Sequence, residues 1–268
     1  MESVLRLENV DLDYGSHEII RDANLHAGRG ETKVILGPSG VGKSTILKAI
    51  LGILKPKKGE IHIRDREISR LPERELVRLR LGMSMVFQHG ALFDSMTVAE
   101  NVSFRLREFG LLRRDSQNPA SVPKSSDFGL AEREKIQKRV EEVLHFVGLA
   151  HIKNLRPAQL SGGMRKRVAI ARALAPDPDI FLFDEPTVGL DPVNHFNIEQ
   201  LILKLKQQKR RTMLIVTHDV ESACRIADSI AMVHEGRFIF DGTPQELKNQ
   251  TDKRIRAFLD PASFARLI

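Results

Sequence analysis

The sequence predicts an α/β protein, with a parallel-sheet core, a β-rich amino-terminal part and an inserted helical lobe. Three observations predict it. The apolar run "TKVIL" at 32–36 enters a glycine at 37; helical and strand periods alternate from there; and the block 90–170 reads as mostly helical between strands. At 268 residues, 41% hydrophobic and 29% charged, the chain suffices for one large α/β domain or a core with a smaller lobe.

The opening "MESVLRLENV" lacks the charged-then-apolar layout of a signal peptide, so export is not expected. It reads as a strand alternating Val4, Leu7 and Val10 with polar partners. A second β-rich stretch, "EIIRDANLHA", follows. Beyond the glycine come a helix over 43–53, strand "EIHI", a helix from Pro72 to Arg80 and strand "MSMVF" leading to Gln88. Residues 97–110 are helical, whereas "RRDSQNPASVPKSSDFG" at 113–129 has almost no apolar period and reads as a flexible loop. A helix over 131–147 places Ile136, Val140, Val143, Leu144 and Val147 on one buried face.

Strand "DIFLF", a helix over 192–208, strand "TMLIVT" and a helix over 219–227 continue the alternation. Strands "SIAMV" and "RFIF" are joined by "HEGR", whose glycine suits a hairpin. The tail from Thr243 is helical, with Ile255, Phe258 and Leu259 at helix spacing, followed by Phe264, Leu267 and Ile268. The expected segments are a core with its β part over 1–89, a helical lobe over 90–170, the rest of the core over 171–242 and a helical tail over 243–268.

No apolar run approaches the roughly 20 residues of a membrane-spanning helix. Cys224 is the only cysteine, which excludes an internal disulfide and a thiolate metal cluster and marks a small half-buried helix residue. The net charge of +7 suits nucleic acid, anionic lipid or a solvated surface equally. The basic clusters "RKR" at 165–167 and "KQQKRR" at 206–211 are too local to mark a nucleic-acid site.

"GPSGVGKST" is a phosphate loop with an apolar strand before it and a helix after it. Gly37, Pro38, Ser39, Gly40, Val41, Gly42, Lys43, Ser44 and Thr45 therefore form the expected ATP-binding segment. Its backbone N–H groups wrap phosphates, Lys43 adds charge to the outer ones, and the Ser44 hydroxyl suits Mg²⁺. "DIFLFDEP" brings Asp184 and Glu185 to the end of a buried strand, where α/β sheets place ligands. Asp184 is expected to reach Mg²⁺ through water, and Glu185 to polarise the attacking water. His218, after "TMLIVT", is a γ-phosphate contact; Gln88 is placed to touch the metal or the water. Tyr14, the sole tyrosine in a chain without tryptophan, offers a flat face to adenine.

In order, "GPSGVGKST", "MVFQ", "LSGGMRKRVAIARAL", "LFDEPTVGLDP" and "IVTHD" resemble the motif series of ATP-binding cassette (ABC) ATPases, over essentially the whole chain. The resemblance implies a P-loop NTPase parallel-sheet core with an antiparallel β subdomain and an inserted helical subdomain. It implies ATP hydrolysis coupled to transport by two copies paired head to tail. Ser161, Gly162 and Gly163 of one copy then close over the nucleotide of the other, and Asp191 lies in the loop through which each site senses its neighbour. Met164 departs from the glutamine many cassettes carry there.

"LSGGM", "FQHGALFDSMTVAENVSFRLRE" and "DKRIRAFLD" resemble cassettes of Mla/Mce-type lipid-trafficking transporters more than importers of amino acids or sugars. That likeness implies an ATPase pair on the cytoplasmic face of the inner (plasma) membrane, beneath membrane permease subunits and in a complex with a lipid-binding Mce-type protein, moving phospholipid or another hydrophobic molecule. "GALF" and "MTVAENV" would grip a permease helix; equally, Leu92, Phe93 and Met96 suit the core of the helical lobe. The rival readings are an importer subunit for a small polar solute and a soluble cassette ATPase acting on DNA or ribosomes. The latter class inserts long coiled coils or joins two cassettes in one chain; neither pattern is present, and no nucleic-acid partner is expected.

Overall fold

A computed structural model of the chain describes residues 3–109, 129–208 and 211–260. The expected loop at 113–129 lies outside these except for Gly129, as do Phe264, Leu267 and Ile268. The chain divides into two compact units: residues 1–77, 182–185 and 202–268, and residues 78–181 and 186–201.

The first unit holds two sheets. Strands β1 (Ser3–Tyr14) and β2 (His17–Gly28) form an antiparallel hairpin, extended by β4 (Lys58–Ile63) and the short β5 (Arg66–Glu67) in the order β2-β1-β4-β5. The buried face of β1 differs from the sequence expectation. Leu5 and Leu7 point inward, the register shifts between Leu7 and Val10 around Asn9 at φ 48°, and Val10 and Leu12 resume the inward face. Val4 is only half-buried. A bulge inserts one residue and reverses the phase of a period-two strand, so the expected spacing of three holds from Leu7 to Val10, both buried, and fails only at Val4, where Leu5 takes the inward place.

The second sheet centres on β3 (Thr32–Leu36), parallel to β8 (Thr212–Thr217) on one side and β9 (Ser229–His234) on the other. Beyond β9 lies the antiparallel β10 (Arg237–Gly242); beyond β8 lie the last residues of β7 (Ile180–Asp184). Every residue of β3, β7 and β8 is buried, as in parallel sheets covered on both faces. Lys33 is tolerated in β3 at 1% exposure because its ammonium donates to Asp241 Oδ1 at 2.6 Å and Ser229 Oγ at 3.2 Å. The β9–β10 turn has Glu235 at φ 47° and Gly236 at φ 74°, the left-handed pair that two-residue hairpins favour.

Helix α1 (Lys43–Ile50) is shorter than the expected 43–53 and closes on Leu51. Helix α2 (Glu73–Arg80) crosses from the first unit into the second. In the second unit, β6 (Met83–Val86) lies beside the opening of β7, with Ile180 N–H bonded to Gly82 O at 3.2 Å. Helices α3 (Val98–Phe109), α4 (Leu130–Phe146) and α5 (Gly162–Leu174) pack together, and their residues Val102, Leu106, Val140, Leu144, Val168 and Ile170 are buried. Helix α6 (Pro192–Gln207) begins in the second unit and ends in the first.

The first unit also holds α7 (Val220–Ile226), capped by Asp219, and carries half-buried Cys224 on it. The tail forms two short helices, α8 (Pro244–Lys248) and α9 (Lys253–Leu259). Ile255 is buried, whereas Phe258 and Leu259 are half-buried. Among the described residues no helix is long and apolar enough to cross a membrane.

Candidate active site

The loop from Gly37 to Gly42 leaves β3 and ends on α1. Gly42, at φ 104°, precedes the helix, and a Cβ there would lie 2.7 Å from Ile19 Cγ2; glycine alone permits this entry. Ser39 and Gly40 are exposed, Pro38 and Val41 half-buried, and Thr45 buried within α1. Lys43, 5% exposed, donates to the carbonyls of Gly37 at 2.8 Å and Pro38 at 2.9 Å, and lies 3.3 Å from Glu185 Oε1. A buried cation is thus held by the loop through groups that a phosphate can replace.

Ser44 Oγ donates to Asp184 Oδ1 at 2.7 Å. Asp184 ends β7, and the next residue, Glu185, turns to φ 45° while its N–H bonds Val216 O at 2.9 Å. A left-handed glutamate costs roughly 1–3 kcal/mol and persists only when its surroundings enforce it. Here the left-handed turn comes where the carboxylate meets both partners: Oε1 faces Lys43, and Oε2 lies 3.0 Å from His218 Nδ1. An ionised carboxylate only accepts, so Nδ1 carries the proton in this pair. The structure therefore gathers Lys43, Ser44, Asp184, Glu185 and His218 at the carboxyl ends of β3, β7 and β8.

Tyr14, at the end of β1, is 46% exposed. Its hydroxyl accepts from Lys48 Nζ at 3.3 Å, and that ammonium also stands 5.7 Å from the ring centroid. Sequence reading missed Lys48. Its place on α1 was legible, but its reach to β1 depends on how helix and strand pack.

The remaining expected residues, Gln88, Ser161, Gly162, Gly163 and Asp191, belong to the second unit. Gln88 is half-buried just beyond β6. Ser161 caps α5, its Oγ accepting the Met164 N–H at 3.2 Å, and Ser161 and Gly162 are exposed. Asp191 caps α6: Oδ1 accepts the Asn194 N–H at 3.0 Å and Oδ2 accepts Asn194 Nδ2 at 2.6 Å. Those bonds, the side-chain one foremost, hold the Asp191 carboxyl below the usual aspartate range. Asn194 was also missed, although an Asp three residues before an Asn at a helix start is a visible capping pattern.

Phe93 is 40% exposed, lies 4.7 Å from Phe104 between ring centroids, and faces the Arg172 guanidinium at 5.8 Å. Leu92 and Met96 are half-buried. Asn101 closes this segment by accepting the Phe93 N–H at 2.8 Å and donating to the carbonyls of Phe93, Met96 and Thr97.

Residues 20–188 match the family model described as ABC transporter. The chain is 37% identical to the Haemophilus influenzae intermembrane phospholipid transport system ATP-binding protein MlaF, covering 96% of this chain and 90% of that protein. It is 36% identical to the Bacillus subtilis arginine transport ATP-binding protein ArtM, covering 96% and 99% respectively. A solved structure of the ATP-binding cassette MJ0796, dimeric, post-hydrolysis and bound to ADP and Pi, superposes with a TM-score of 0.74 at 33% identity, over 90% of this chain and 98% of that one. The chain belongs to the ABC transporter family and is an ATP-binding, ATP-hydrolysing subunit.

Proposed function

We propose that this ATPase works with Mg²⁺ as a head-to-tail pair of identical chains beneath membrane permease subunits, on the cytoplasmic face of the inner membrane. We further propose that it drives movement of phospholipid or another hydrophobic molecule with a Mce-type lipid-binding partner. The observation that carries the catalytic part is the Glu185 carboxylate, held between Lys43 and His218 beside the Ser44–Asp184 pair.

Ser44 Oγ and Asp184 Oδ1 are hard oxygen donors in contact, a pair that suits Mg²⁺. When bound, the metal neutralises charge on the phosphate oxygens. Lys43 exchanges the carbonyls of Gly37 and Pro38 for phosphate oxygens, which frees Glu185 Oε1. Glu185 accepts the proton of the attacking water, and the His218 Nδ1–H keeps that carboxylate oriented. Tyr14 stacks on adenine. Ser161, Gly162 and Gly163 present a helix amino end to the partner's nucleotide, and Asp191 meets the partner beside it.

Lipid as cargo draws its support from the likeness to MlaF, and ArtM is nearly as similar. The permease that co-purifies from gently solubilised membranes decides between them: one paired with a Mce-type protein supports lipid, and an amino-acid permease contradicts it. For the chemistry, Glu185→Gln retains MgATP binding and lowers turnover by roughly 10² to 10⁴. Near-normal hydrolysis removes Glu185 from the mechanism.

A further inference from the structure

Gly163 has no conformational reason to be glycine. It lies inside α5, and its φ is outside the left-handed range. What forbids a side chain is Asn194, on the first turn of α6: a Cβ built on Gly163 would stand 2.0 Å from Asn194 Oδ1 and 2.3 Å from Asn194 Cγ. Gly162, beside it, meets nothing nearer than Leu190 Cδ2 at 3.8 Å. The close approach is therefore particular to position 163, which is buried although Ser161 and Gly162 are exposed.

The orientation of Asn194 is set from the other side. Its Nδ2 donates to Asp191 Oδ2 at 2.6 Å, and only the amide nitrogen can donate to a carboxylate, so Oδ1 is turned toward Gly163. The Asp191 carboxylate, the Asn194 amide and the Gly163 backbone consequently stand in one stack within a single chain. All three belong to the second unit.

We propose that Asn194 is a positioning residue that locks the Ser161–Gly163 turn to the Asp191 loop of the same chain, so that displacing the loop displaces the turn. Gly163 is glycine to admit that lock. The inference rests on the reading above that Ser161–Gly163 complete a neighbour's nucleotide site. A partner that presses on Asp191 thereby adjusts the turn offered to its own nucleotide. The lock joins residues of one unit, whereas the expected ATP-holding residues Lys43, Ser44 and Tyr14 belong to the other, and its expected effect is on turnover.

A double-mutant cycle tests this on the full chain, with kcat and KM for MgATP hydrolysis as readouts and MgATP-dependent Tyr14 fluorescence reporting a folded, nucleotide-competent chain. Gly163→Ala should lower kcat by about 10-fold while KM stays within about 2-fold, because the added methyl wedges Asn194 away from the turn. Asn194→Gly removes the obstructing amide, so the loss of kcat caused by Gly163→Ala should be at least about 3-fold smaller in that background than in the wild-type chain. Asn194→Ala alone should lower kcat at unchanged KM, and Asn194→Gln should not restore it, since the longer amide cannot keep both contacts. The lock is overturned if Gly163→Ala costs as much with Asn194→Gly as without it, or if Gly163→Ala is fully active. Ser161→Arg serves as the separate control: normal hydrolysis in that variant defeats the composite-site reading itself, whereas a dead Ser161→Arg with no rescue at 163 defeats only the lock.

Discussion

Tyr14 is half exposed, and its hydroxyl and ring both face the Lys48 ammonium. The hydrogen bond from the ammonium holds the hydroxyl end of the ring, and stacking would use the ring's face. Because the chain has no tryptophan and one tyrosine, ultraviolet emission reports this residue alone. MgATP should change Tyr14 emission and shield it from a soluble quencher; binding with both unchanged removes Tyr14 from the adenine site. At this scale the sequence was informative where chemistry is local. Lys43, Ser44, Asp184, Glu185 and His218 were all expected at the carboxyl edge of the sheet, and they meet there. Lys48 and Asn194 were not foreseen, because each acts on a residue of another element and only packing brings them together.

Strand and helix order was legible because apolar period and turn residues agree along most of the chain. The failures have physical causes. In β1 the bulge at Asn9 shifts the inward face from Leu5 and Leu7 to Val10 and Leu12, which no fixed period describes. In the tail, Thr243 and Asp252 each cap a helix, and the expected apolar residues Ile255, Phe258 and Leu259 all fall on the second, α9. Asp252 accepts the Arg254 N–H at 2.8 Å and its guanidinium at 2.6 Å, and the guanidinium bond foremost brings its carboxyl from the ordinary 3.8 down to about 2. A carboxyl depressed on folding stabilises the fold above its unfolded pKa and loses that contribution as pH falls through the folded value. The α9 cap should therefore be complete above about pH 4 and be lost only as pH falls toward 2. Carboxyl-carbon NMR of Asp252 should titrate near 2, and a midpoint at 3.8 contradicts the cap.

At the scale of the whole molecule, a single chain carries one phosphate loop in its first unit and one capped glycine turn in its second. The account holds that ATP is hydrolysed where the loop of one chain meets the turn of another. Two-fold pairing then makes a definite prediction. Lys43→Ala damages a site through its loop and Ser161→Arg through its turn, so either homodimer should be nearly inactive. In a mixed dimer both lesions fall on the same composite site, and the other has intact Lys43 from one chain and intact Ser161 from its partner. Random mixing of equal amounts should restore roughly a quarter of the wild-type number of intact sites. The decisive measurement is MgATP hydrolysis by the exchanged mixture, beside a linked dimer whose single lesion pair reports whether one intact site turns over alone. The account predicts activity in the mixture wherever the linked dimer is active. An active linked dimer with a dead, demonstrably exchanged mixture contradicts it, as does normal hydrolysis by the Ser161→Arg homodimer.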